Sequence, residues 1–292
     1  MNQIKLEPVY FNSELSEKTF SYLKGQKYLK FNKIVKFINN KFLTDYPYGY
    51  IILDKNKNIY GFLGTMFSQR LNQNSSYIFC NLHTWIIDEG KRLEFFSQGA
   101  NILKPIFEFN SSFFAKPVNA LIRLFLRYYK MDVLKMKYRI SFTAKPSNLF
   151  RKKDFSIIDD ENIIKEKLNS ENIKIYNDHK NMSCYKFLIC DKRNTENNIF
   201  VIALKKRKKF VFNVLEFIYV SNINLFQENW KNFIIDVCKK FKIVFCSQNY
   251  LNENECCIPE NEKIIKDLED QVVIKNLPKN FKFNTLYSEF VY

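Results

Sequence analysis

A chain of 292 residues with 46% hydrophobic content has enough apolar mass for one large core or two of ordinary size. No stretch reaches the roughly 18 uninterrupted apolar residues that a membrane-crossing helix needs, and the opening MNQIKLEPVYF lacks the apolar core of a signal peptide, so a cytoplasmic protein is expected. The net charge of +16 is uneven: residues 1–146 hold 22 Lys+Arg against 10 Asp+Glu, and residues 147–292 hold 24 against 20, so the first half is the one that attracts anionic partners.

In chain order, ELSEKTFSYLK (14–24) has helical spacing and ends at Gly25, a natural helix stop. FNKIVKFINNKF (31–42) sets Phe31, Ile34, Val35 and Ile38 on one face and predicts a second helix. GYIILD (49–54), KNKN and IYGFLGTMF (59–67) read as a hairpin. SYIFCNLHTWII (76–87) reads as a long strand, DEGKR (88–92) as a break, and LEFFSQGANILKPIF (93–107) as a helix that Pro105 bends or ends. SSFFAKP is a loop, VNALIRLFLRYYKM (118–131) a helix and VLKMKYRISF (133–142) a strand.

TAKPSNLFRKKD (143–154) is polar and basic and reads as a linker. Strands are expected over 184–192, 198–207, 210–222 and 242–248, with a helix over 229–241. The tail reads as a short helix in IIKDLEDQVV and a closing strand in FKFNTLYSEFVY. The second half thus repeats part of the order of the first, and the expected fold is α+β in two lobes, each a mixed, mostly antiparallel sheet flanked by helices. The expected division is 1–146 and 147–292.

Seven cysteines without a C-x-x-C pair, mostly inside apolar runs, read as buried reduced thiols. With only two histidines, no metal site is expected. All six glycines lie in the first hundred residues, so that third is where backbone can most closely approach a ligand. The break Asp88-Glu89-Gly90-Lys91-Arg92 ends a strand and opens a helix, where unpaired N–H groups favour phosphate and two cations add donors.

Among side chains able to move a proton, His83 lies on the long strand and is a candidate base, against a structural histidine as the plainer reading. Alternation places Phe79, Asn81, His83 and Trp85 on one face, opposite Cys80, Leu82, Thr84 and Ile86. Glu216, a carboxylate inside the apolar strand FVFNVLEFIYV, is a second candidate, against an ion-paired or outward-facing glutamate. His179 reads as a surface residue, KKRKK (205–209) as a solvated hairpin turn, and Trp85 and Tyr50 as core residues able to line an acceptor cleft.

Three stretches resemble the GNAT (acyl-CoA N-acyltransferase) superfamily. YIILDKNKNIYGFLG is similar to its central hairpin, NLHTWIIDEGKR to its fourth strand and following loop, and VNALIRLFLRYYKM with VLKMKYRI to its closing helix and strand. The resemblance covers about residues 14–142, and resemblance to tandem members with a degenerate second copy extends it over 180–290. It implies an acyltransferase that moves an acyl group, acetyl in the first instance, from acyl-CoA to an amine or hydroxyl of a small or sugar-like acceptor. The cofactor site it implies comprises Trp85, Ile87, Gly90, Lys91, Arg92, Leu93 and Phe95, with the backbone from Gly90 to Phe95 on the pyrophosphate and no metal. LEFFS follows Arg92 where the family has glycines, so Phe95 and Phe96 must point away from the phosphates. The rival reading is a non-catalytic protein whose basic face meets an anionic membrane or, less favoured, nucleic acid.

Overall fold

A computed structural model of the chain describes residues 4–26, 29, 42–72, 75–97, 103–116, 119–142, 155–194, 197–208, 212–250 and 263–278. The expected linker (143–154) and closing strand (281–292) lie outside these residues, as does the expected helix 31–42 apart from Phe42.

The chain divides into two compact units, Met1–Leu134 with Gln271–Lys282 and Tyr287–Tyr292, and Lys135–Asp270 with Phe283–Leu286. The crossing therefore falls at Leu134/Lys135, where the sequence pattern suggests 146/147, and the first unit takes back a segment from near the end of the chain.

In the first unit β1 (Lys5–Val9), β2 (Gly49–Leu53), β3 (Ile59–Asn72) and β4 (Ser75–Ile87) pair antiparallel in sequence order. β5 (Ser112–Ala115) then lies parallel to β4, and β12 (Lys263–Lys275) closes the sheet antiparallel to β5 through Val273–Lys275. The tight turn between β2 and β3 has a local cause. The Asp54 carboxylate accepts from the backbone N–H of Asn56 and Asn58, both at 2.8 Å, and Lys57 takes a left-handed φ of 62°.

One face of this sheet packs Tyr50, Ile52, Leu63, Phe67, Cys80 and Leu82 against Ile122, Phe125 and Tyr129 of the helix Asn119–Tyr129. On the other face Val9, Ile51, Leu53, Phe62 and Ile86 cluster with Leu23 of the helix Glu14–Gly25.

The second unit repeats the plan. β7 (Phe155–Ile158), β8 (Tyr185–Asp191), β9 (Asn198–Lys208) and β10 (Phe212–Val220) pair antiparallel in order. β11 (Phe245–Tyr250) is parallel to β10, and β6 (Asp132–Phe142) closes antiparallel to β11. The helix Ile223–Phe241 starts six residues before the expected 229, because the Asn222 side chain caps it by accepting from the Leu225 N–H at 3.1 Å. Its stripe Phe226, Trp230, Phe233, Ile234, Val237 and Cys238 is buried against Leu215, Phe217, Val201 and Ala203, each large side chain contributing about 2 kcal/mol.

Several expectations change. The loop SSFFAKP contains β5, a four-residue strand too short to show a period and buried throughout. Of the helix expected over 93–107, Arg92–Ser97 and Lys104–Phe107 are helical, residues 98–102 lying outside the described residues, and Pro105 sits in the opening turn of the second stretch, where its missing N–H costs nothing. IIKDLEDQVV is strand, not helix, and runs into Val273–Lys275, the residues that pair with β5. Lys205–Lys208 belong to β9, paired with Phe212–Leu215, instead of forming a turn. β1, β7 and the helices Glu161–Lys167 and Ser170–Asp178 have no counterpart in the sequence reading.

Candidate active site

The fork between β4 and β5 is the central feature of the first unit. The two strands run in parallel register for four pairs, from Phe79 opposite Ser112 to Leu82 opposite Ala115. β5 then ends, while β4 continues through His83–Ile87 with β3 as its partner.

A bulge sits at the mouth of that fork. Leu63 pairs with Trp85 and Gly64 with His83, so Thr84 is an extra residue on β4. Its φ of 46° is left-handed, which is strained for a β-branched side chain. The bulge also reverses the alternation read from the sequence. Trp85 moves to the face of Cys80 and Leu82, packing edge-on against Phe95 at 5.9 Å and Phe125 at 5.8 Å between ring centroids. Ile86 moves to the opposite face, and Ile87 joins the core with Trp85.

His83 is 4% exposed, with Nδ1 2.9 Å from Thr84 Oγ1. Burial pulls its pKa down to about 4, against a hydrogen bond to the Thr65 backbone that opposes the shift, so the ring is neutral at physiological pH. It lies across Gly64, where any Cβ would collide with the imidazole, so glycine on β3 is what makes room for it. Asn81 is on the same face, 1% exposed, and both its amide nitrogen and its oxygen lack a protein partner among the described residues. Nothing in the sequence marks Asn81 or the bulge, since Asn is abundant and a one-residue insertion leaves no local signature.

The turn after β4 is firmly tied down. Asp88 donates its N–H to the Tyr60 carbonyl at 2.8 Å, and its carboxylate accepts from Tyr22 Oη at 2.7 Å. Glu89–Lys91 form a single 3-10 turn leading into the helix Arg92–Ser97. Gly90 is exposed, and a side chain there would meet open space. Lys91 Nζ pairs with Glu94 Oε2 at 2.9 Å and lies over the Tyr60 ring, while Arg92 Nε donates to the Ile87 carbonyl at 3.3 Å. Leu93 is 88% exposed. Phe95 is buried against Trp85, whereas Phe96 is 40% exposed. Tyr50 is a core residue whose hydroxyl pKa is pushed up by burial.

Glu216 belongs to the second unit. It is 3% exposed, and its Oε1 accepts from Lys206 Nζ at 3.1 Å and from Asn249 Nδ2 at 3.2 Å. His179, expected at the surface, is fully buried. Its Nδ1 lies 2.7 Å from the Ile175 carbonyl and closes the end of the helix Ser170–Asp178, which is why the imidazole is pulled inward.

The second unit echoes the first at the same place. β10 and β11 share four parallel pairs, Val214 opposite Phe245 to Phe217 opposite Gln248, and β10 bulges immediately afterwards, between Phe217 and Tyr219. Among the described residues, no three His, Cys, Asp or Glu side chains gather closely enough to hold a metal, and no helix is long and apolar enough to cross a membrane.

No family model matches the sequence, and no curated protein matches it. Solved structures do match in shape. A GCN5-related N-acetyltransferase from Kribbella flavida superposes with a TM-score of 0.59 at 8% identity, over 94% of this chain and 71% of its own. One from Anabaena variabilis gives 0.58 at 11% identity, over 93% and 72%. Saccharomyces cerevisiae N-myristoyltransferase with bound myristoyl-CoA gives 0.51 at 6% identity, over 93% and 82%. With the parallel β4–β5 fork and its repetition in the second unit, these superpositions show that the chain has the GNAT fold.

Proposed function

We propose that the chain is an acyltransferase that moves an acyl group, acetyl in the first instance, from acyl-CoA to an amine or hydroxyl of a small acceptor. The observation that carries this reading is the fork: β4 runs on from Leu82 to Ile87 without β5, beside a turn where Gly90 faces open space. An extended pantetheine arm can add to the free edge of β4 by main-chain hydrogen bonds, as any strand adds to an open sheet edge. The main-chain N–H of Gly90 at the start of the turn meets the pyrophosphate, with the Lys91 and Arg92 side chains adding charge, while the N–H groups of Lys91 and Arg92 return to the Asp88 and Glu89 carbonyls.

The chemistry then needs a nucleophile freed of its proton and a stabilised oxyanion. The bulge at Thr84 shifts the register of β4 against β3, which supports a main-chain N–H of this segment as the donor to the thioester oxygen. His83, neutral and fixed by Thr84, accepts the proton of the attacking amine or hydroxyl. The leaving CoA thiolate takes up a proton to finish the turnover. Glu216 lies in the second unit with its Oε1 held by Lys206 and Asn249, which favours His83 for the base role. In the second unit the Asn222 side chain already accepts from the Leu225 N–H at the corresponding helix start, so the CoA site is assigned to the first unit.

Acetyl-CoA or CoA is expected to raise the melting temperature by an amount set by concentration over Kd. Lys91→Ala with Arg92→Ala should diminish the shift while leaving the ligand-free melting point within about 1 kcal/mol of stability. No shift at millimolar CoA ends the reading. A second reading, docking to an anionic membrane, is favoured by Leu93 and Phe96 standing exposed beside Arg92, and by Leu126 and Tyr128 exposed beside Arg127. It predicts co-sedimentation with phosphatidylserine vesicles that is lost at high salt.

A further inference from the structure

Asn81 is the least comfortable residue in the first unit. It pairs with Met66 on β3 and with Phe114 on β5, so its neighbours straight across the sheet are a thioether and a phenyl ring. Next to Met66 on the same face is Ser68, whose Oγ is fully buried and also has no protein partner among the described residues. Diagonal neighbours of this kind have Cβ atoms roughly 7 Å apart, the separation one small polar group spans. His83 follows Asn81 on the same face, and the β4–β5 fork opens just beyond it.

An asparagine side chain offers two donors and a carbonyl, and leaving a buried polar group unmet costs about 1–3 kcal/mol. A leucine of similar size would avoid that cost. The second unit supplies the comparison. The position equivalent to Asn81, third of the four parallel pairs, is Glu216, and there the buried polar group is held by Lys206 and Asn249 of its own unit. The position is polar in both copies, and in the second the protein supplies two donors, both to Glu216 Oε1, where Asn81 has none among the described residues.

We propose that Asn81 and Ser68 form a binding subsite for an uncharged amide group, supplied by the acceptor; calling that group part of the acceptor rests on the acyl-transfer reading, whereas the subsite does not. The chemistry selects the ligand class. A planar amide matches Asn81 by donating to Oδ1 while accepting from Nδ2, and it leaves Ser68 a further partner. A carboxylate would face Oδ1 and an ammonium would face the amide hydrogens, each an unfavourable contact. Arg70, which follows Ser68 on this face of β3, has its guanidinium over the Phe79 ring, 4.5 Å from the centroid. An acceptor with a carboxamide, an N-acyl group or a peptide bond near its nucleophile would be oriented with that nucleophile toward His83.

The test uses the full chain labelled with ¹⁵N and acetamide as probe. The Asn81 side-chain NH₂ signal, identified by its loss in Asn81→Leu or Asn81→Ser, should move and saturate as acetamide is added, while sodium acetate and methylamine leave it in place. Asn81→Leu should melt at or above the wild-type temperature without ligand. An Asn81 signal that ignores acetamide, or that moves equally with acetate, overturns the subsite, as does an Asn81→Leu melting point several degrees lower, which would mean that Asn81 is bonded within the fold or to a structural water. Acetyl-CoA thermal shifts on the same samples judge the acyl-transfer reading separately.

Discussion

His83 shows how one backbone choice determines a side chain's chemistry. Gly64 leaves the space into which the imidazole lies, and burial then keeps the ring neutral. Gly64→Ala forces the ring to move and should cost about 1–3 kcal/mol, read from urea unfolding. The depressed pKa also sets a pH dependence. As pH falls, the unfolded chain takes up a proton near 6.5 while the folded protein waits until about 4, so stability is lost across that window and levels off below it. The loss should be on the order of 3 kcal/mol. His83→Phe should lack this component, which the difference between wild-type and variant unfolding curves at pH 7 and pH 4.5 isolates from the carboxylates. If His83 is the base, activity should persist well below pH 6, with its acid limb closer to 4.

At the scale of elements, the bulge in β4 and the C-terminal end of the long helix each hold a non-glycine residue in left-handed backbone. The helix Ile223–Phe241 ends on Lys242 with φ 54°, and the Ile243 N–H returns to the Cys238 carbonyl at 2.9 Å. Glycine adopts that conformation freely, so Lys242→Gly should raise stability by about 1 kcal/mol, measured as a higher melting temperature. Thr84 is strained in the same sense, but its hydroxyl meets His83 Nδ1. Thr84→Gly is therefore expected to lower activity more than stability, a split between turnover and melting point that a purely structural bulge would not give.

For the whole molecule, the dominant fact is that each unit's closing strand is distant in sequence. β5 is closed by Val273–Lys275, with Ser112 Oγ donating to the Asn276 carbonyl at 2.7 Å and Lys275 Nζ to the Tyr129 carbonyl at 3.0 Å. β11 is closed by Lys137–Phe142. A fragment ending at residue 146 therefore loses Val273 from the first unit's core and leaves β5 an edge strand paired with β4 alone. It should be aggregation-prone and poorly folded by circular dichroism, and a peptide covering 263–282 added in trans should improve its solubility.

The sequence by itself determined the amphipathic elements and the α+β class. The helix 14–24, the hairpin from Gly49 and the strand ending at Ile87 were legible because their apolar spacing follows from their own burial. The turn Asp88–Arg92 was legible too, because glycine and charge gather there. Tertiary structure alone decided what depends on partners remote in sequence. β5 is too short to carry a period, the end of β12 is joined to β5 across more than 150 residues of chain, and His179 is drawn inward by a helix end. It also decided the face of Trp85, since one bulged residue inverts every side chain after it, and the isolation of Asn81, since local sequence does not encode whether a buried amide has a partner.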